Sequence, residues 1–311
     1  MHLLFEDALM EATVALAAAG RHPGVSAKDM GAFHGARERC YGVADPDGRA
    51  EAFARFHRNW FVKWGLRGRL ESALSQFETL PVALAAIVFR RARTPRDEGV
   101  ELYSNAGGER RGVFALRPDR LLAEPILVGF LNHELAILAD MVSPDYGYLA
   151  ELGHPELTPS QERLSRERYR ILWAIRADGG LERRGLTGSA SRDRRRAEFD
   201  KAFGFLPAPR GSVVFEGLWD GTIGTHAGLV RIAVDPRGLG ASREIVPGAP
   251  CPLCGFPAFA WARAAALRPE AVERIRVEFA EWRPEDPICA RCGEIYDAVT
   301  GAEYPPTVCL G

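Results

Sequence analysis

The apolar positions of this chain fall into helical stripes, interrupted once by a stretch with strand character. Residues 3 to 19 carry Leu3, Leu4, Phe5, Leu9, Val14 and Leu16 at helical spacing, closed by Gly20 and Pro23. Residues 24 to 47 are irregular and rich in Gly and Ala, and both a loop and a short helix stay open there. Residues 49 to 79 return to the helical stripe with Phe53, Phe56, Trp60, Phe61, Trp64, Leu70, Leu74 and Phe77, and Gly65 and Gly68 divide it into two helices. The run 81 to 93 (PVALAAIVFRRAR) predicts a buried strand. GVELYS at 99 to 104 and RGVFAL at 111 to 116 predict a hairpin across Asn105-Ala106-Gly107-Gly108. From Pro125 to Tyr148 the text reads as one buried helix that starts at a proline and stops at Ser143-Pro144, because the residue before proline is pushed out of the α region.

A second long helix, capped by Thr158 or Ser160, runs to about Ala177 with Leu164, Tyr169, Leu172 and Trp173 on its face. Residues 183 to 196 are arginine-rich and read as a solvated loop and helix start, and Glu198 to Phe205 as a short helix. Residues 212 to 234 read as one or two strands, or a strand and a helix. The Gly/Pro-rich stretch 235 to 250 reads as a linker. The predicted class is α+β: mainly helical, with a small antiparallel sheet packed on the 125–148 helix and a C-terminal cysteine module. The predicted organisation is a helical region over 1–80, an α+β core over 81–235 and a linker with the cysteine module over 236–311.

Composition narrows the function. With 311 residues the chain is long enough for one or two domains with a sizeable core. A net charge of −1 removes the global electrostatic case for nucleic acid or an anionic membrane. The basic residues are almost all arginine, with lysine only at Lys28, Lys63 and Lys201, a bias that reads as genomic base composition rather than phosphate recognition. No run reaches the ~18 consecutive apolar residues of a membrane span. The first residues carry Glu6, Asp7 and Glu11 without a basic leader, so a cytoplasmic protein is expected. Cys40 reads as a buried small side chain.

The most specific motif lies near the C-terminus. Cys251-Pro-Leu-Cys254-Gly and Cys289-Ala-Arg-Cys292-Gly are separated by 34 residues. In a chain read as intracellular, such pairs supply metal thiolates rather than disulfides. Each C-x-x-C-G turn points two sulfurs at one ion, and two turns complete a closed tetrahedral set, with zinc expected over iron. A four-thiolate site leaves no open coordination position, so its expected role is structural. The two turns resemble a zinc ribbon, or a pair of rubredoxin-like knuckles, with a helical insertion near residues 269 to 279. Cys309 reads as a spare.

The second motif is His133-Glu134 in the middle of the 125–148 helix. Residues four apart on a helix share a face, so an H-E-x-x-H helix aims two imidazoles at one zinc ion with the glutamate beside them as general base. Here position 137, where the second histidine belongs, is Ile137, and Asp140 follows on the same face. The order of sheet, H-E helix and acidic helix over 81 to 177 resembles a zincin metallopeptidase core, and with the cysteine module it also bears a likeness to the SprT-like proteases. That resemblance implies His133 as first ligand, Glu134 as general base, Asp140 as a further ligand and Glu162 or Glu167 as the downstream glutamate, around a second zinc ion. Ile137 matches nothing in the pattern, since an aliphatic side chain cannot bind metal.

Three readings follow. In the first, the zincin-like core is degenerate, His133 is bonded to a buried carboxylate such as Asp140, and the protein works by binding or assembling with another protein. In the second, it is an active zinc metallohydrolase using His133, Asp140 and a Glu or His from elsewhere, with Glu134 activating water. In the third, it is a nucleic-acid-associated ribbon protein using its arginines, with binding that drops when Arg194 to Arg196 are neutralised. The near-zero net charge counts against the third.

Overall fold

The computed structural model describes residues 1–105, 107–152, 157–236, 248–279, 282, 284 and 286–299. The chain divides into two units, Met1–Val234 and Asp235–Gly311. The structure is 59% helical with small sheets, so the α+β, mainly helical class holds.

The first unit opens with β1 (His2–Phe5), a strand where the stripe of Leu3, Leu4 and Phe5 predicts the start of a helix. The helix α1 (Asp7–Leu16) begins only after it, and a π turn over Ala17–Arg21 ends it at Gly20, whose φ of 85° lies outside the helical range. The undecided stretch is helical: α2 (Ala27–Tyr41) is started by Ser26, whose hydroxyl accepts from Asp29 N while Asp29 reaches back to Ser26. The aromatic stretch forms α3 (Pro46–Lys63) and α4 (Leu66–Leu74), split at Gly65 with φ 72°, while Gly68 sits inside α4. A short α5 (Leu80–Ala83) takes the beginning of the predicted strand, and β2 (Ala86–Arg91) takes the rest.

The predicted hairpin is present as β3 (Gly99–Ser104) and β4 (Arg110–Leu116), paired antiparallel. The sheet around it is mixed rather than antiparallel. Its order is β1-β2-β4-β3, with β1, β2 and β4 parallel. Phe5, Phe89 and Phe114 are in register across those three strands, their rings 5.2 and 5.4 Å apart. Their burial removes apolar surface worth roughly 1.5–3 kcal/mol for each fully buried ring.

After a short α6 (Pro118–Leu122), the central helix α7 spans Glu124–Val142, with Pro125 in its first turn and Ser143-Pro144 just beyond its end. It lies against the sheet at Gly112, where a Cβ would come within 2.8 Å of Leu138 Cδ2. By length and composition α7 can cross a membrane, contrary to the expectation from counting apolar runs, and half of its apolar window is buried within the fold. Leu127, Leu131, Leu135 and Leu138 sit in the same core as Leu9, Phe61, Phe89 and Phe114, so in this fold α7 acts as a core helix. Residues 1–80 and the α+β stretch after them therefore share one core.

The helix α8 (Pro159–Arg183) starts in a capping box of Thr158 and Gln161 and continues past Ala177 through Asp178-Gly179-Gly180. It packs against α7 and against α9 (Arg192–Phe203), α10 (Ala208–Trp219) and α11 (His226–Val234). The strand reading of 212–234 is thus replaced by two helices. The β-branched Val213 and Val214 suggest strand, but Val214 and Leu218, four apart, are buried while Val213 is exposed, which is helical periodicity.

The second unit is small. It contains β5 (Ala249–Pro250), β6 (Pro257–Ala258), β7 (Trp261–Ala262), α12 (Pro269–Glu278), β8 (Ile288–Cys289) and α13 (Ala290–Val299). Its pairs are β5 with β6 and β7 with β8, both antiparallel. Its core is Cys251, Ala258, Ala264, Ile275, Trp282, Ile288, Cys289 and Cys292. The predicted linker lies mostly outside the described residues, as does Cys309.

Candidate metal centre and the histidine–glutamate helix

The four cysteines converge. One ligand atom from each of Cys251, Cys254, Cys289 and Cys292 lies within 4.8 Å of every other. Cys251 Sγ is 4.0 Å from Cys292 Sγ, and Cys254 Sγ is 3.9 Å from Cys289 Sγ. These separations are about twice a disulfide bond. Those two separations are close to the sulfur–sulfur edge of a zinc–tetrathiolate tetrahedron, whose corners lie about 2.4 Å from the centre, and the remaining separations are no longer than 4.8 Å. The four cysteines can therefore hold one metal ion.

Local structure explains the convergence. The first turn closes through Gly255, at φ 74°, with Gly255 N donating to Cys251 O and Cys251 N to Phe256 O. The second pair differs from the expected mirror-image knuckle: Cys289 ends β8 and Cys292 sits in the first turn of α13. Gly293 is helical, and its lack of a side chain admits Ala262 and Leu267, which a Cβ would approach to 3.1 and 3.3 Å. Backbone N–H groups point at sulfur, Cys289 N to Cys251 Sγ and Cys292 N to Cys289 Sγ, each at 3.3 Å. Burial raises the Cys251 thiol, but N–H groups from Cys289, Cys254 and Leu253 outweigh it and bring it down to about 7. Burial pushes the Cys289 and Cys292 thiols up.

The residues around His133 are arranged otherwise than the zincin pattern implies. His133 Nδ1–H donates to Asp178 Oδ1 at 2.7 Å, so the buried carboxylate beside it is Asp178 on α8 and not Asp140. Asp178, with 1% of its side chain exposed, also accepts from Ser189 N at 3.0 Å, Ser189 Oγ at 3.2 Å and Arg195 Nε at 2.7 Å. Burial raises its pKa, but the His133 bond and Arg195 more than offset that, and the net shift is downward. The fit is close: a Cβ at Gly188 would meet Asp178 Oδ1 at 2.5 Å, and one at Gly129 would meet Gly188 O at 2.5 Å.

Glu134 is turned to the sheet, where its Oε2 accepts from Val100 N at 3.0 Å. Burial raises its pKa, against the opposing influence of His133 and the Val100 bond. Asp140 is engaged elsewhere, accepting from Trp173 Nε1 at 2.7 Å and pairing with Arg176. Burial raises its pKa as well. Beside it, Tyr146, Tyr169 and His226 Nδ1 form a hydrogen-bonded chain with links of 2.8 and 2.7 Å, and Tyr146 and Tyr148 both stack on Trp173. Tyr146 thus packs into the core. Glu167 is exposed on α8, and Glu162 pairs with Arg166. Among the described residues, His133, Asp140 and Glu167 are not brought together as a ligand cluster, and only the four cysteines form one.

The arginines at 194 to 196 are paired: Arg194 with Glu198, Arg195 with Asp178 and Glu198, and Arg196 with Asp200 and Glu216. Asp178 is the residue that motif reasoning misses. Its signal is an acid on an apolar helix face, three residues after Ile175 and three before Leu181, both buried. No protein-family model, no curated protein and no solved structure matches this chain.

Proposed function

We propose that this chain is a zinc-binding protein in which the four cysteines hold a structural zinc ion, and in which the H-E helix is a degenerate metallopeptidase-like element serving protein binding or assembly rather than hydrolysis. The observation that carries the reading is the convergence of four cysteine sulfurs within 4.8 Å of one another. All-thiolate coordination suits zinc, closes the site to substrate and contributes folding free energy to a small unit. The degenerate reading of α7 draws support from Ile137, from Asp140 being taken by Trp173 and Arg176, and from Glu134 being taken by Val100 N. The test is proteolysis of unfolded casein and of a mixed peptide library. We expect no turnover above that of the Glu134→Gln protein. Turnover that Glu134→Gln abolishes would contradict the reading.

One observation favours the alternative, an active metallohydrolase. A metal-ligating histidine commonly donates its other ring N–H to a carboxylate, and His133 donates to Asp178 in that way. On that reading His133 Nε2 would take a zinc ion and Glu134 would act as base, and the missing elements are the other protein ligands, since Asp140 is held by Trp173 and Arg176.

A further inference from the structure

The cleft at the carboxyl end of β2 lies outside the four-cysteine site and meets the H-E helix through Val100, whose N–H is taken by Glu134. It holds about 500 Å³ and is lined by Arg90, Arg91, Arg93, Arg96 and by Glu98, Gly99, Val100 and Glu101 among others. Its volume suits a small metabolite. Its place in the fold is the usual one for a ligand in a sheet with parallel strands, beyond the strands' carboxyl ends. Here β2 runs parallel to both of its neighbours, β1 and β4.

The charges in the cleft are unequally engaged. Glu98, whose side chain is 3% exposed, accepts from Arg120 through both carboxylate oxygens at 2.7 Å and from Arg117 N at 3.1 Å. Glu101 accepts from Arg90 at 3.3 Å and from Tyr103 at 2.7 Å. Asp97 accepts from Thr94 N at 2.8 Å, and the neighbouring Glu6 accepts from Arg91 N at 2.7 Å. The acids are thus satisfied by partners within the fold. The guanidinium groups of Arg91, Arg93 and Arg96 form no ion pair among the described residues, and all three residues are exposed. Glu98 and Glu101 are balanced by Arg120 and Arg90, while Asp97 and Glu6 accept from backbone N–H groups, so the three guanidinium groups outnumber the acids left without a cation and favour an anion.

We propose that this cleft binds a small molecule carrying two or more phosphoryl groups, held by Arg91, Arg93 and Arg96. A phosphoryl group presents three acceptor oxygens, and three bidentate guanidinium forks are better filled by two such groups than by one. The guanidinium fork is also the side chain best shaped for bidentate contact with phosphate oxygens. The cluster is local in a chain of net charge −1, which favours a small polyanion over the extended track of a nucleic-acid strand.

The test is calorimetric titration of the full-length protein with inorganic pyrophosphate at low salt. Wild type is expected to bind with a Kd below ~0.1 mM, and the double variant Arg93→Ala/Arg96→Ala to bind at least about tenfold more weakly. Both positions lie in the segment between β2 and β3, so the fold is expected to persist, with circular dichroism as the check. The single variant Arg96→Gln gives a milder version of the same measurement. Arg194→Ala, at an exposed arginine outside the cleft lining, is expected to leave the affinity unchanged. No binding at ~1 mM pyrophosphate, or equal affinity in the double variant, would overturn the proposal. So would binding of a short single-stranded oligonucleotide that the double variant abolishes while pyrophosphate does not bind, which would reassign the cleft to nucleic acid.

Discussion

Asp178 is the residue on which the His133 region turns. It is buried, it holds two cationic or ring partners from α7 and α9, and it fixes the loop at Ser189. Replacing it with Ala would leave Arg195 and His133 without their carboxylate in a nearly closed space. Removing one partner of a buried pair costs about 3–5 kcal/mol, and urea unfolding would measure it. The pH dependence has a definite sign. The Asp178 pKa is lowered below its ordinary 3.8, so its contribution is fully present above that value and fades as pH falls through it toward the lower folded pKa. The stability gap between wild type and Asp178→Asn should therefore be flat at neutral pH and narrow in acid. Glu134 has the opposite sign. Its pKa is raised by burial, so its ionised form weakens the fold at neutral pH and protonation relieves this as pH falls. Glu134→Gln is expected to fold, to keep its metal content and to be at least as stable as wild type at pH 7, with any gain vanishing in acid. Unfolding midpoints across pH would check both residues.

Between elements, small residues set how closely helices approach. Gly179 on α8 faces the end of α10, where a Cβ would sit 2.4 Å from Trp219 O. Gly179→Ala should therefore destabilise by about 1–3 kcal/mol, the usual range for overpacking. Gly31, in the interior of α2 with nothing within 4 Å of a Cβ, should do the reverse. Gly31→Ala is expected to stabilise by roughly 0.5–1 kcal/mol through helix propensity alone. Thermal melts of the two variants side by side would test the contrast.

The bounds of α7 are readable because prolines act locally, and the β3–β4 hairpin because its strands alternate around a turn. The strand β1 is not, because Leu3, Leu4 and Phe5 join a helical stripe in sequence and become a strand only by pairing with β2, more than eighty residues away. The end of α8 is misplaced because Asp178-Gly179-Gly180 reads as a breaker, whereas Gly179 is the close approach to α10. The His133–Asp178 pair was out of reach for a related reason: its partner lies 45 residues on, just past the expected helix end. The four cysteines are legible because two short turns carry the whole signal, although the helical setting of Cys292 is not.

At the scale of the molecule, two units with separate cores have different sources of stability. The first unit has a large core of fully buried Leu and Phe side chains, while the second has a few residues around four sulfurs. Below ~70–80 residues a core rarely holds itself together without a staple. A strong chelator should therefore open residues 235–311 to protease while residues 1–234 stay protected. Equal loss of both units, or of neither, would speak against a metal staple in the second.

The most direct test of the central claim is metal content per chain, by elemental analysis of the native protein and of Cys251→Ser and His133→Ala. One zinc ion per chain is expected, lost in the cysteine variant and retained in the histidine variant. Two zinc ions with one lost on removal of His133, or a zinc ion that survives loss of Cys251, would contradict the claim.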